Sequence, residues 1–360
     1  MAIEQVFNAR ELVTFADTLR KESDPELWEI LFPSTPTPSM ELKWVKSSKL
    51  RTVLLRPSTL DEKAPRRDMI GAESITNEMP FFREELSITE KMRQEILTLQ
   101  ANYAQQTKYI DAALKNLYEN HAGLINGGYA ICDLMSGSLI TKGRIAISAP
   151  DDSGRDIQYD YDYDDASGSW ASNNVTTLAG VHTWTSANAA TSDPIQDILT
   201  VIRSMRNSGK IVKRLVMNSE TLVAFYTSDA VKQALHPLGG SVTPEEAIDY
   251  IQKQTKLEVI IYDRSVANSA GSDVKVIEDG YLSFLPADAL GEMNFAPTPE
   301  SFDLEMGKIE PRNDIAISGD GIAVQTEVTG GTPKHYNTIV SMSALPSFTM
   351  MDMVAVLKAF

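Results

Sequence analysis

A run of regularly spaced apolar residues between Ser87 and Gly123 constrains the fold of this chain more than any other feature. Its members, spaced almost entirely by three and four, are Ile88, Met92, Ile96, Leu99, Tyr103, Ile110, Leu114 and Leu117. This spacing predicts one face of an α-helix of roughly 30 residues, or ~50 Å. Ser87 and Glu90 form a capping-box pattern at its start, and Gly123 supplies a C-terminal stop. Because helices in globular proteins average ~11 residues, we expect a strut packed against a sheet. A coiled coil is the alternative, although the stripe drifts and lacks regular flanking charge pairs.

The residues before this helix carry apolar side chains on an open segment. A helical pattern at 12–19 is followed by an apolar cluster at 27–32 and by three prolines between 33 and 38. Proline has no amide hydrogen and restricts the preceding residue, so an extended course is expected there. The apolar side chains can pack on the chain's own core or on a neighbouring subunit. We expect residues 1–86 to be the part of the chain that needs a neighbour.

The stretch 43–85 changes from basic to acidic along its length. Its first part interleaves Lys and Arg with apolar residues and has no acidic residue up to Arg56. Arg66 and Arg67 lie near its middle, and carboxylates dominate from Glu73 onwards. We interpret it as two extended arms joined by a long turn, a hairpin of marginal stability on its own. A nucleic-acid patch is the alternative, but the acidic return arm would cancel much of its field.

The remainder of the chain mixes strand and helix patterns. The predicted strands are 129–132, 144–147, 156–164, 215–217, 257–262, 274–277, 336–344 and 353–356, and the predicted helices are 193–209, a helix ending near 225, and 244–255. We expect 257–262 to face 274–277 across a loop. Residues 211–330 are interpreted as a compact α/β subdomain, and the last strands return to the earlier domain. The fold class expected is α+β.

Composition and motifs argue against an enzyme and against a nucleic-acid reader. The chain has 33 basic and 49 acidic residues, a formal charge of −16, which repels phosphates overall. Its only cysteine, Cys132, has apolar neighbours and is expected to be buried. The four histidines are dispersed, and the sequence holds no phosphate loop, nucleophile elbow or zinc helix. Because these motifs are missing, we expect no catalytic residue, cofactor or metal. No signal peptide or membrane-spanning run is recognised.

An acidic run from Asp151 to Asp165 is the one candidate for a chemical site. Asp160, Asp162 and Asp164 occupy the first three ligand positions of a calcium loop, but the required glycine and glutamate are missing. Alternation of aspartate with tyrosine instead favours a strand with its tyrosines packed and its aspartates in solvent. Weak cation binding, or a cation-dependent acidic hydrolase built on this run, remains the alternative from a different functional class.

Several ordered stretches of the chain resemble the lambda-type major capsid protein E family of tailed bacteriophages, which has the Hong Kong 97-type capsid fold. They are Ala64-Pro-Arg-Arg-Asp-Met, Lys142-Gly-Arg-Ile-Ala-Ile-Ser, Trp184 to Ile198, Val259-Ile-Ile-Tyr-Asp with Phe284-Leu-Pro-Ala-Asp, and Ser341-Met-Ser-Ala-Leu-Pro. The likeness covers nearly the whole chain. Each stretch alone is weakly specific, and their order makes the set fairly specific.

The resemblance implies a division of the chain by role in a shell. Residues 1–43 would be an N-terminal arm, 44–86 an extended loop lying across a neighbour, 87–210 with 331–360 a peripheral domain on the long helix, and 211–330 an axial domain. The chain would form pentamers and hexamers of an icosahedral virion shell around DNA, without sequence-specific DNA contact or a membrane. It would assemble in the bacterial cytoplasm with a separate scaffolding protein, a portal protein and in some relatives a decoration protein. An encapsulin-like cargo shell is the related alternative.

The expected inter-subunit contacts come from the arm and the extended loop. They are Trp28, Phe32, Trp44, Lys49, Arg56, Arg66, Arg67 and Glu73.

Overall fold

The computed structural model describes residues 8–22, 25–46, 73–88, 107–150, 156–164, 168–267, 271–305, 314–331 and 335–360, with single positions between 90 and 98. Its helices are α1 Ala9–Glu22, α2 Leu27–Leu31, α3 Thr107–Lys142, α4 Ser169–Asn174, α5 Pro194–Asn207, α6 Ser219–Thr227, α7 Asp229–Leu235, α8 Pro244–Thr255 and α9 Pro299–Glu305. Its strands in the first half are β1 Ser34–Pro36, β2 Glu41–Lys46, β3 Glu73–Glu78, β4 Phe81–Ile88, β5 Arg144–Pro150, β6 Asp156–Asp162 and β7 Val175–Thr177. Those of the second half are β8 Arg214–Met217, β9 Glu258–Ile261, β10 Ser265–Ala267, β11 Asp273–Lys275, β12 Tyr281–Leu285, β13 Met293–Ala296, β14 Ile315–Ile317, β15 Ala323–Thr329, β16 His335–Pro346 and β17 Ala355–Lys358.

A long helix is present and contains the second part of the predicted one, and described positions of the first part (90, 91, 93, 94 and 98) are helical, but the predicted ends are wrong. Helix α3 has 36 residues, a length of roughly 54 Å, and it passes through Gly123 without ending. It ends at Gly143, whose φ of 67° lets its amide bond to the Leu139 carbonyl at 2.9 Å. The expected capping residue Ser87 instead lies in strand β4, where its hydroxyl donates to Asn337 at 2.8 Å. The strand predicted at 129–132 is wrong, because these residues belong to α3.

The chain divides into two compact units, each assembled from separate stretches. The first comprises Met1–Leu42, Asn77–Asp133 and Glu292–Ser347. Its sheet has the order β1-β13-β16-β15-β14, and β4 pairs with β16 in antiparallel register from Tyr336↔Ile88 to Ser343↔Phe81. Helix α1 packs on β14 and β15. The long strand β16 is therefore the centre of this sheet.

The second unit comprises Lys43–Thr76, Leu134–Gly291 and Phe348–Phe360. Its five-stranded sheet has the order β7-β17-β12-β8-β9, in which β8 and β9 are parallel. The expected pairing of 257–262 with 274–277 is thus wrong, since β11 pairs with β10 instead. Helices α5, α6 and α8 bury Ile198, Phe225 and Ile251 in a common core with the sheet.

Several local predictions in the second unit are confirmed. Helix α5 starts with Pro194, and Asp193 accepts from the Gln196 amide as its N-cap. Helix α8 has the predicted bounds, with a complete capping box between Thr243 and Glu246. Strands β5 and β6 correspond to the strands predicted at 144–147 and 156–164, and they pair with each other in antiparallel register.

Candidate assembly surfaces

The apolar residues of the N-terminal segment are buried in the chain's own first unit. Trp28 is 1% exposed and Phe32 is fully buried. The Trp28 ring stacks on Tyr129 of α3 at 6.2 Å and meets Phe295 edge-on at the same distance. Of the two interpretations of this segment, the structure therefore supports packing on the chain's own core. The surface contact role expected of Trp28 and Phe32 is not open to side chains buried in this way.

An ion-pair cluster around Arg20 fastens this segment to the unit. The Arg20 guanidinium donates to Asp320 at 2.8 Å and to Glu29, and it lies 3.6 Å from the centre of the Tyr129 ring. Glu26, 3.8 Å from Arg20, accepts a hydrogen bond from the Trp28 indole at 2.7 Å. Burial alone would lower the pKa of Arg20, but the bond to Asp320 and the neighbouring charges raise it. The guanidinium therefore stays charged in this cluster.

Sequence reasoning missed this cluster because its members are far apart in the chain. Arg20 and Asp320 are separated by 300 positions. The spacing of Arg20, Glu26 and Glu29 was the available signal, since basic and acidic residues flank the turn between α1 and α2.

The base of the predicted extended loop is a two-stranded sheet of β2 and β3. Trp44, 6% exposed, stacks on Tyr163 at 5.5 Å, and Tyr163 meets Phe348 at 6.3 Å. Like Trp28, Trp44 is therefore buried on its own unit. On the other face of β2, Val45 is 46% exposed. Glu73 is the first residue of β3, whereas Lys49, Arg56, Arg66 and Arg67 lie outside the described residues.

Within the described residues, the acidic run contributes strand β6, Asp156–Asp162, as the favoured interpretation predicted. Asp160 is exposed and pairs with Arg144 of the neighbouring strand at 2.7 Å, a bond that lowers the pKa of its carboxyl. Asp164 accepts from the amides of Trp170 and Ala171 at 2.8 and 2.9 Å, which caps helix α4. These carboxylates point to different partners and do not converge on a common point. Within the described residues, no group of His, Cys, Asp and Glu side chains is placed to hold a metal ion.

An open groove of about 420 Å³ lies along α6 on the second unit. Its apolar lining includes Trp184, Val223, Ala224 and Phe360. The Trp184 indole donates to Asp197 at 2.9 Å, which fixes the ring as one wall. Val223 and Phe360 are each 38% exposed, so apolar surface remains accessible in the groove. No sequence pattern indicates this groove, because residues 184, 223 and 360 are distant in the chain and are brought together only by the fold.

Carboxylates gather at one end of this groove. Glu220 and Asp279 line it, and Asp263 accepts from the Ser219 amide and hydroxyl at 2.7 Å. Asp279 also binds Lys275 at 2.8 Å, and this bond, with the charges of Glu220 and Asp263, raises the pKa of Lys275. Three carboxylates thus surround one ammonium group, which leaves excess negative charge beside an apolar surface.

Cys132 is buried, as the sequence predicted. It is fully buried in α3, 3.9 Å from the Met342 sulfur, and burial raises the pKa of its thiol. The thiol is therefore a packing group and a poor nucleophile. Among the helices in the described part of the chain, none has the length and apolar character that crossing a bilayer requires.

Comparison with known proteins relates this chain to phage capsid structures by fold. A scan against protein-family models and a search of curated proteins found no match. Among solved structures, a protein assigned as the capsid protein of a prophage in Escherichia coli CFT073 aligns with a TM-score of 0.60 and 14% identity, over 98% of this chain and 99% of that one. A phage-related protein from Bordetella bronchiseptica RB50 aligns with a TM-score of 0.52 and 14% identity, over 97% and 96% of the two chains. The capsid of cyanophage A-1(L) aligns with a TM-score of 0.51 and 10% identity, over 93% of this chain and 92% of that one.

These end-to-end alignments define the fold. The chain has the α+β Hong Kong 97-type capsid fold that the sequence resemblance predicted. At 10–14% identity the likeness concerns the fold alone.

Proposed function

We propose that this chain is the major capsid protein of a tailed bacteriophage or prophage, a structural subunit and not an enzyme. The observation that carries the proposal is the alignment over 98% of this chain and 99% of a prophage capsid protein. The shared fold therefore accounts for nearly all of the given residues. Self-association into a closed icosahedral shell, and a place in the virion, follow from this role.

The finer parts of the proposal concern architecture and partners. We infer the arm 1–43, the extended loop 44–86, the peripheral domain 87–210 with 331–360, and the axial domain 211–330. Pentamers and hexamers would enclose DNA without reading its sequence, which agrees with the charge of −16. A scaffolding protein, a portal protein and a decoration protein are the expected partners during assembly in the host cytoplasm.

The burial of the N-terminal segment limits which part of the subunit needs a neighbour. Residues 9–42 contribute to the core of the first unit, so the need for a neighbour falls on the extended loop. A two-stranded hairpin has only one face to bury and is marginal alone, which favours contact with another subunit.

The test is negative-stain microscopy of the purified protein, alone and with the scaffolding protein of its own phage. Closed particles or ring-shaped capsomers are expected, whereas a monomer that persists at high concentration with scaffold present would contradict the proposal. Particles that load a cargo enzyme instead of DNA would favour the encapsulin-like alternative.

A charge reversal in the extended loop provides a second test. Arg66→Glu with Arg67→Glu is expected to reduce the particle yield while circular dichroism stays unchanged. The matched control reverses two exposed basic residues of the second unit, Arg206→Glu with Lys253→Glu. Loss of helical signal in the loop variant, with particles still formed, would contradict the assigned role of Arg66 and Arg67.

A further inference from the structure

We propose that the groove beside Trp184 is the docking site for residues 47–56 of a second copy of this chain. The inference rests on the shell function proposed above and names the surface on which the extended loop of a neighbour is held.

The groove has two properties that its occupant must match. One wall is apolar, formed by Trp184, Val223 and Phe360. One end is acidic, formed by Glu220 and by Asp279 with its neighbours. A segment that combines bulky apolar residues with basic ones would therefore satisfy both the apolar wall and the carboxylates.

Residues 47–56 have this composition. The segment Ser-Ser-Lys-Leu-Arg-Thr-Val-Leu-Leu-Arg contains Leu50, Val53, Leu54 and Leu55 beside three basic residues, and no acidic residue occurs from 42 to 60. In a chain of net charge −16, such a segment is electrostatically unlike the rest of the molecule. A second acid-free basic stretch at 198–218 is already folded into α5 and β8. The charge complementarity therefore singles out 47–56.

The topology of the second unit favours a neighbour's segment over the chain's own. Strand β2, which leads into 47–56, is anchored through Trp44 and Tyr163 on Phe348, before the start of β17. The groove lies at the opposite end of β17, where Phe360 follows the strand and Ala359 bonds to Gly280. Strand β2, the last described element before 47–56, is thus anchored at the end of β17 remote from the groove.

The proposed contact assigns a role to each part of the segment. An apolar side chain such as Leu54 enters between Phe360 and Val223, and Arg51 or Arg56 pairs with Glu220. The arginine pairs fix the register, while burial of the apolar side chain supplies most of the attraction. Because residues 47–56 and the groove are different surfaces of one chain, the contact between two copies is heterologous, and repeated contacts of this kind can close into a ring.

Photocrosslinking tests the contact in the assembled particle. An unlabelled chain with Val223→p-benzoylphenylalanine is mixed before assembly with a nitrogen-15-labelled wild-type chain. After irradiation, a protease that cuts after glutamate releases residues 42–62 as one peptide. The expected product joins this peptide in its heavy form to the light peptide that carries position 223. The matched control places the same probe at Ile211, which is 64% exposed in the same unit and does not line the groove.

Charge variants provide a test of specificity. Arg51→Asp with Arg56→Asp in the labelled chain, which adds no cleavage site for the glutamate-specific protease, is expected to lower the crosslink yield about tenfold. Adding Glu220→Lys to the probe chain should restore part of it, because the pair is then reversed in sign. Equal yields in all combinations would overturn the charge pairing.

The remaining outcomes separate this inference from the proposed function. Normal particles that crosslink only light peptide 42–62 mean that the chain's own segment fills the groove, and this overturns the second-copy contact. Normal particles with no link to 42–62, or with a link to another protein, overturn the docking site and leave the shell function intact. Failure of the wild-type chain to form particles overturns the proposed function, and the docking site with it.

Discussion

At Gly137 the long helix lies against the connection between β11 and β12, and replacing this glycine tests whether the close packing is required. A Cβ atom at Gly137 would lie 2.2 Å from the carbonyl oxygen of Val276 and 2.7 Å from its Cγ1. The obstacle is backbone, which cannot move aside as a flexible side chain could. Val276 is also held in place, because its amide bonds to the Arg264 carbonyl at 3.0 Å and its side chain is 3% exposed.

The expected effect of Gly137→Ala is the difference of two contributions. Overpacking of a fixed contact costs up to about 3 kcal/mol. Alanine in a helix interior recovers about 1 kcal/mol relative to glycine. We therefore expect a net loss of about 2 kcal/mol in the free energy of unfolding.

Gly123→Ala is the matched control, because Gly123 lies in the same helix with no atom within 4 Å of its hypothetical Cβ. Only the helix-propensity gain remains there, so the control is expected to be about 1 kcal/mol more stable than wild type. Thermal unfolding followed by circular dichroism measures both. A Gly137→Ala protein that melts as high as the Gly123→Ala protein would refute the reasoning.

Three further perturbations probe other parts of the structure. Arg20→Met leaves Glu26, Glu29 and Asp320 without their cation and should lower the free energy of unfolding by about 3 kcal/mol. The N-terminal segment should then be cleaved earlier in limited proteolysis, whereas the control Arg10→Met, at an exposed position, should have little effect. Equal protease sensitivity of the two variants would contradict this. Burial lowers the pKa of His121 to about 4 from 6.5, so the unfolded chain takes up a proton first and stability falls by about 3 kcal/mol as the pH drops from 6.5 towards 4. His121→Leu should flatten this part of the pH–Tm curve, and an unchanged curve would show that other groups dominate. Asp164→Ala should cost about 1 kcal/mol through the lost helix cap, while Asp160→Ala should leave Tm nearly unchanged, and the reverse order would contradict the assigned roles.

Local sequence signals predicted those elements whose ends are set by local chemistry. Asp193 with Pro194, and Thr243 with Glu246, carry their start signals in consecutive residues, and helices α5 and α8 begin where these signals stand. The C-terminal end predicted for the long helix was wrong because Gly123 resembles a stop. Packing along α3 outweighs the cost of an interior glycine, which is only about 1 kcal/mol.

Features made by residues distant in the chain could not be predicted in the same way. The parallel pairing of β8 with β9 leaves no mark in either strand, so the antiparallel hairpin was expected instead. Trp28 was correctly recognised as a side chain in need of a partner, but the sequence does not say that Tyr129 and Arg20 of the same chain provide it. The groove at Trp184 could not be predicted either, because its lining residues are distant in the chain.

The discontinuity of both units has a consequence for synthesis on the ribosome. Strand β16, the centre of the first sheet, ends at residue 346, and β17, interior to the second sheet, ends at residue 358. Neither core can close until these strands have emerged, although most of the residues they cover have been translated long before. During that interval β4 lacks β16, β15 has only β14 and β12 has only β8, so nascent chains on one message present unpaired strand edges to each other. Each unit can therefore complete its fold only after nearly the whole chain has been synthesised. The rate at which complete chains are released then limits the rate at which folded subunits become available.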